Sequence, residues 1–355
     1  MHGSISSLIA KGTLPDPSIL VTGLQVGVAF TAVRLALNAV FFKPLAYKAM
    51  GLEKPKAVQP VPALDALYHP KRRPERAALE AASATAGLSA ADGEAYLLRR
   101  VATATVHARV YKFAEALWRA TLYAFMVAFG LYAVVGQSWF KDPWKQCWLG
   151  WPHQVQPDKA YQYYALSMGV YTHLIMFQAI DTRRSDFWQH VLHHAVTMAL
   201  ITMSWVSNFV RIGSLVILLH DISDVPLELA KVVNYTKANP KHAKWASPAA
   251  DGIFGIFALT FLVSRLVLFP YYVIYNTLFV AEDAVEYTAD GPPPRPPCYW
   301  IFNAMLLILQ ALHIFWAFLI LRMVYKVIVL QYLEDIRSDS EGEWEEKDGK
   351  KAKTG

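Results

Sequence analysis

The chain is poor in cysteine and poor in charge, and each shortage excludes a class of protein. Two cysteines, Cys147 and Cys298, in 355 residues exclude a disulfide-framed secreted domain and a cysteine-based metal centre. Charged residues make up 17% against 55% hydrophobic, and the mean hydropathy of +0.25 is too high for an ordinary soluble domain. The formal charge of +6 would suit nucleic acid, but the basic residues lie between apolar runs, the pattern of cytoplasmic loops, so no nucleic-acid partner is expected. Residues 1–30 lack a charged region followed by a small-residue cleavage site, so no removable leader is expected. There is also no internal repeat of the transporter type.

What is present is a set of apolar runs long enough to cross a bilayer. Segments near 18–42, 113–135, 161–180, 186–205, 207–233, 251–279 and 299–329 meet the requirement of about 20 apolar residues. The expected fold is an all-α polytopic membrane helix bundle with about seven spans. The odd-numbered loops carry Lys71, Arg72, Arg73, Arg76, Arg99, Arg100, Arg183, Arg184, Lys231, Lys237, Lys241 and Lys244. These fall on one side, which the positive-inside rule makes the cytosol, with the N-terminus opposite and the C-terminus cytosolic. The loop at 138–159 is rich in aromatic residues, as an interfacial belt would be. The chain then divides into 1–42 (lumenal start and first span), 43–111 (cytosolic linker with some helix), 112–330 (membrane domain) and 331–355 (charged cytosolic tail).

Two neighbouring runs carry ionisable residues deep inside. "SDFWQHVLHHAVTMALITMSW" places His190, His193 and His194 in a span. Counting from its cytosolic start, His193 lies about 12 Å into the membrane. "LHDISDVPLELAKVV" returns toward the same face with Asp224 about 13 Å below it. The connector near 206–208 is short enough to force antiparallel neighbours. His220, Ser223, Asp224 and Glu228 recur at i, i+3, i+4 and i+8 on one helix face, whereas Asp221 lies about 100° away. Ionisable groups at such depth point to function. His190 is nearer the rim and shares a face with His194. Pro226 should kink the helix and widen the cavity, Gly213 and Ser214 allow close approach, and Arg211 should snorkel.

Three chemistries fit a His/Asp set in an apolar cavity. A di-iron oxidase would use "HVLHH", but such sites need several histidine boxes and no second box exists, so no metal is expected. A lipid-binding or chaperone bundle would use the polar groups as interhelical glue. Acyl transfer would use a histidine as nucleophile or base, with an aspartate orienting it or stabilising its charged form.

The run from His193 to Tyr235 resembles the Lag1 motif of ceramide synthases, within the TLC-domain superfamily. The matching positions are His193, His194, Thr197, Ser204, Asn208, Arg211, Gly213, His220, Asp221, Ser223, Asp224, Leu227, Glu228, Lys231, Asn234 and Tyr235. "DTRRSDF" and "KFAEALWR" resemble the plant-like branch, and nothing in 43–111 resembles the homeobox-like insertion of many animal members. The resemblance implies a TLC domain that N-acylates a sphingoid base, sphinganine or phytosphingosine, from fatty acyl-CoA in the endoplasmic reticulum membrane. It implies His193, His194, Asp221 and Asp224 as essential residues, with an acyl group passing through His193. His220, Ser223 and Glu228 would support them. Acyl-CoA is a substrate, and no cofactor is implied; membrane lipids, a second copy or a regulatory subunit are the expected partners. Acyl-chain choice is tied to residues near 280–298.

Smaller signals complete the picture. Arg183, Arg184, Lys231 and Lys237, with Lys241 and Lys244, lie at the cytosolic rim where CoA phosphates would need cations. Cys147 and Cys298 both fall in non-cytosolic loops, where a bridge is permitted. Ser338 and Ser340 each precede an acidic residue by three positions, an acidophilic kinase pattern. The final "KAKTG" matches a K-x-K-x-x retrieval signal.

Overall fold

The computed structural model describes residues 18–70, 72–281 and 298–330, and no strand occurs among them. Seven long helices carry the fold: α1 (Ile19–Met50), α2 (Ala90–Val134), α3 (Asp158–Gln178), α4 (Phe187–Val206), α5 (Val210–Thr236), α6 (Pro240–Val280) and α7 (Tyr299–Leu330). Each expected span falls on a helix, but two of the helices run well beyond it. α2 has 45 residues, about 68 Å, and α6 has 41, about 62 Å, so both are longer than a bilayer's hydrocarbon core requires. The 111/112 border between linker and membrane domain thus falls inside one continuous helix.

Length and composition alone qualify α1, α2, α6 and α7 as membrane-crossing. The remaining three, α3, α4 and α5, are long enough but carry the polar residues of the interior, among them His173, His193 and Asp221, all buried. Their polarity is tolerated because neighbouring helices, rather than lipid, surround it.

Outside the spans, short helices Pro62–Asp65 and Arg76–Thr85 pack on the start of α2 through Leu64, Leu79, Tyr96 and Leu97. The linker is therefore a small packed unit. The 138–159 loop also differs from expectation. Trp139 and Trp148 are buried in the main core, Trp148 donates to Asn276 Oδ1 at 2.7 Å, and Trp151 donates to Ser207 O at 2.8 Å. Arg211 does not snorkel: it donates to Gln146 O at 2.7 Å and stacks over Trp139. The loop is a folded cap over the α4–α5 turn, whose Asn208 takes a left-handed backbone and donates to Pro152 O and Gln154 O.

α1 is riveted to the bundle by a buried polar cluster. Arg34, fully buried, pairs with Asp181, which also accepts from Arg119 at 2.7 Å and Tyr111 at 2.9 Å. Nearby, Trp118 donates to His173 Nε2 at 2.9 Å, which leaves Nδ1–H to donate to Thr31 Oγ1 at 3.0 Å. His173 is thus a satisfied structural histidine.

Gly213 allows the close approach expected of it. A Cβ there would lie 1.8 Å from Tyr164 Oη, while Tyr164 already bonds Ser204 at 3.2 Å. Gly213→Ala is expected to cost about 1–3 kcal/mol through overpacking. Thermal unfolding in detergent measures this, and Gly252→Ala, with open space around it, serves as the neutral comparison. α5 runs unbroken through Pro226.

Candidate active site

α4 presents His190, His193, His194 and Thr197 at helical spacing, and α5 presents Asp224, Leu227, Glu228 and Lys231. Between them lies a cavity of about 140 Å³, lined also by Arg119, Asp181, Arg184, Arg265 and Trp316. His193, His194 and Asp224, placed at one depth by residue counting, do line this single cavity. A second chamber of about 60 Å³ is almost wholly apolar and is lined by Thr197, Ile201, His220, Trp148 and Phe302. Tyr171 lines both chambers. The rings of His193 and His220, one in each lining, stack at 5.8 Å between centroids.

The individual partners restrict what each group can do. His194 Nδ1 lies 3.0 Å from Gln178 Oε1, an acceptor, so Nδ1 carries the proton and Nε2 keeps its lone pair. His193 is buried, and its Nδ1 has no hydrogen-bond partner among the described residues. No hydrogen bond joins Asp224 to His193 among the described residues. Asp224 instead faces Arg265 at 4.0 Å, with 28% of its side chain exposed. Asp221, buried, lines neither chamber, and its Oδ1 has no partner among the described residues. It stands apart from the three cavity residues with which it was grouped, about one turn further along α5 than Asp224 from the rim. Glu228 is held by Lys231 at 2.6 Å.

Several residues of the site escaped sequence reasoning. Arg265 lies in a stretch of wide π-type turns, Leu262–Leu268, a departure from α-geometry that often marks functional sites. It bonds His313 Nε2 at 3.0 Å, the His220 carbonyl and Ser223 Oγ at 3.4 Å. His313 on α7 also reaches His220 Nε2 at 3.1 Å. Trp316, one turn further, donates to Asp186 at 3.1 Å, and Asp186 pairs with His190 at 3.2 Å. A lone arginine or histidine inside an apolar run was the available signal.

Residues 112–322 match the TLC domain. Ceramide synthase 4 of Homo sapiens is 34% identical over 333 residues, covering 92% of this chain and 79% of that protein. Ceramide synthase hyl-1 of Caenorhabditis elegans is 37% identical over 237 residues, covering 65% and 62%. Ceramide synthase 3 of Homo sapiens is 31% identical over 325 residues, covering 90% and 80%. The chain belongs to the ceramide synthases of the TLC-domain family.

In this ceramide synthase family member the matched domain begins within α2, so α1 lies ahead of it. Arg34 of α1 nevertheless holds Asp181, part of the cavity wall. Of the rim cations proposed for phosphate, Arg184 and Lys231 line the cavity. Arg183, over the Phe187 ring, and Lys237, Lys241 and Lys244 are exposed outside it. Arg119 joins the lining cations, though sequence reasoning had not picked it out.

The two cysteines are free thiols, Cys147 buried and Cys298 exposed, so the permitted bridge is not made. Cys147 is sealed in the core beneath the folded cap, and burial pushes its thiol well above the ordinary range. A membrane-impermeant maleimide is expected to label Cys298 and spare Cys147 until detergent denaturation. Equal labelling of both in the native protein would contradict that packing. Ser338, Ser340, the terminal "KAKTG" and nearly all of the 280–298 chain-length region lie outside the described residues.

Proposed function

We propose that the chain transfers a fatty acyl group from acyl-CoA to the amine of a sphingoid base, with His193 as nucleophile. The observation that carries this reading is the pairing of two unlike chambers across one histidine stack. The polar chamber, with Arg119, Arg184 and Lys231 at its wall, suits a phosphorylated thioester donor. The apolar one suits a hydrocarbon chain.

His193 attacks the thioester carbonyl, the C–S bond breaks, and CoA departs as its thiolate toward the cytosol. The sphingoid amine then attacks the acyl-imidazolium, the C–N bond to imidazole breaks to return neutral His193, and an amide forms as the amine's remaining extra proton passes to the departed thiolate or to water. The amine must first lose a proton, and Asp224, the partly exposed carboxylate of the cavity, accepts it. Asp224 therefore serves as proton acceptor and counter-charge to Arg265, in place of holding the His193 tautomer. His194, fixed by Gln178, keeps Nε2 free to accept a hydrogen bond. Seven spans, with the N-terminus lumenal and the C-terminus cytosolic in the endoplasmic reticulum, complete the proposal. The distribution of basic loops supports that orientation.

Purified protein given acyl-CoA and sphinganine is expected to release CoA and form the amide. Absence of product with every chain length would favour the lipid-binding alternative, and stoichiometric bound iron would favour the oxidase.

A further inference from the structure

On the outer side of the cavity wall lies a separate basin of about 880 Å³ between α1 and α2. Lys43, Lys54 and Lys112 line it together with His107 and Tyr111, and none of its lining residues is acidic. A π-type turn at Asn38–Phe42 immediately precedes Lys43, at the point where the apolar part of α1 gives way to charge. Ile180, in the same lining, is 65% exposed, and Val40, next in sequence to the lining residue Ala39, is 80% exposed. Cationic groups thus stand beside exposed apolar side chains at the end of a membrane-crossing helix, the pattern that receives a lipid headgroup above and its chains below.

We infer that this basin binds the phosphate headgroup of an anionic membrane phospholipid in the leaflet at the cavity mouth. The inference depends on the chain spanning a membrane and not on the acyl-transfer reading. A bound lipid would be coupled to the active site by contact. Thr182 lines both the basin and the catalytic cavity, and its N–H and hydroxyl donate to Glu115 at 3.2 and 3.0 Å. Tyr111, in the basin wall, donates to Asp181 at 2.9 Å, in the cavity wall. Ordinary topology signals would place lysines at this level too. They would not require a concave, acid-free arrangement open to lipid.

The test uses the full-length protein in phosphatidylcholine nanodiscs doped with photo-crosslinking phosphatidylinositol or, in parallel, photo-crosslinking phosphatidylcholine. Adducts of the anionic probe are expected on peptides spanning Val40–Lys43 and Ile180, in excess over the neutral probe. Lys43→Gln combined with Lys54→Gln should lower that yield roughly tenfold, whereas Lys241→Gln with Lys244→Gln, exposed lysines elsewhere on the same side, should leave it unchanged. Equal labelling by the two probes in the wild type overturns the proposal without recourse to any variant. So does an equal loss in both lysine pairs, which would mark general charge attraction. Displacement of the lipid by CoA at the same peptides would assign the basin to the thioester donor instead, and would likewise overturn it.

Discussion

His193→Ala is expected to lower amide formation by at least about 10³-fold, the scale of losing a nucleophile or general base. The variant should still fold, because no hydrogen bond to His193 that its removal would orphan occurs among the described residues, its Nδ1 being without a partner there, and its ring packs against His194, His220 and Trp316. Incubating wild-type enzyme with acyl-CoA alone should add one acyl mass to the peptide containing His193, and the variant should show none. An active wild type that never carries the adduct would replace covalent transfer with direct amine attack assisted by His193 as base. Substantial activity in the variant would remove His193 from the chemistry altogether. His194 offers a competing nucleophile through its free Nε2, so mapping the adduct to one of the two adjacent rings decides between them.

Arg265→Leu is expected to be the most damaging change outside α4 and α5. The guanidinium is buried and supplies hydrogen bonds to His313, the His220 carbonyl and Ser223, as well as the positive charge nearest Asp224. Leaving the buried His220 carbonyl and His313 without their donor costs about 1–3 kcal/mol, which thermal unfolding in detergent reads directly. Arg265→Lys separates structure from positioning. It restores the charge but not the planar fork, so stability should recover while turnover stays low, because His220 and His313 are no longer held. Full turnover in the lysine variant would mean that charge alone is needed and that the fork positions nothing of consequence.

The division between what could be read and what could not follows from chain distance. Helix periodicity placed His193 and His194 on α4 and Asp224 on α5, and residue counting put them at one depth, since each inference uses only spacing along a regular helix. Asp221 was not placed by the same rule: helical spacing puts it close to the face of Asp224 and Glu228, yet it lies outside both chambers. The cap at 138–159 was misread because tryptophans suit a lipid interface and a folded loop equally well. The unbroken passage of α2 through the expected border at 112 was missed because a change from polar to apolar composition need not interrupt a helix.

Sequence alone determined that this is a helical membrane protein, that two adjacent helices carry buried histidine and aspartate, and that the Lag1-like run joins them. Those properties are local, written in hydropathy and in the 3.6-residue period. Tertiary structure alone decided that Arg265 and His313, 48 residues apart, close on His220. It also decided that Asp224 faces a guanidinium instead of an imidazole, and that a polar and an apolar chamber meet across the His193–His220 stack. Such pairings depend on which helix faces pack together, and close contact between particular residues such as Gly213 and Tyr164 settles that only once the whole bundle has formed.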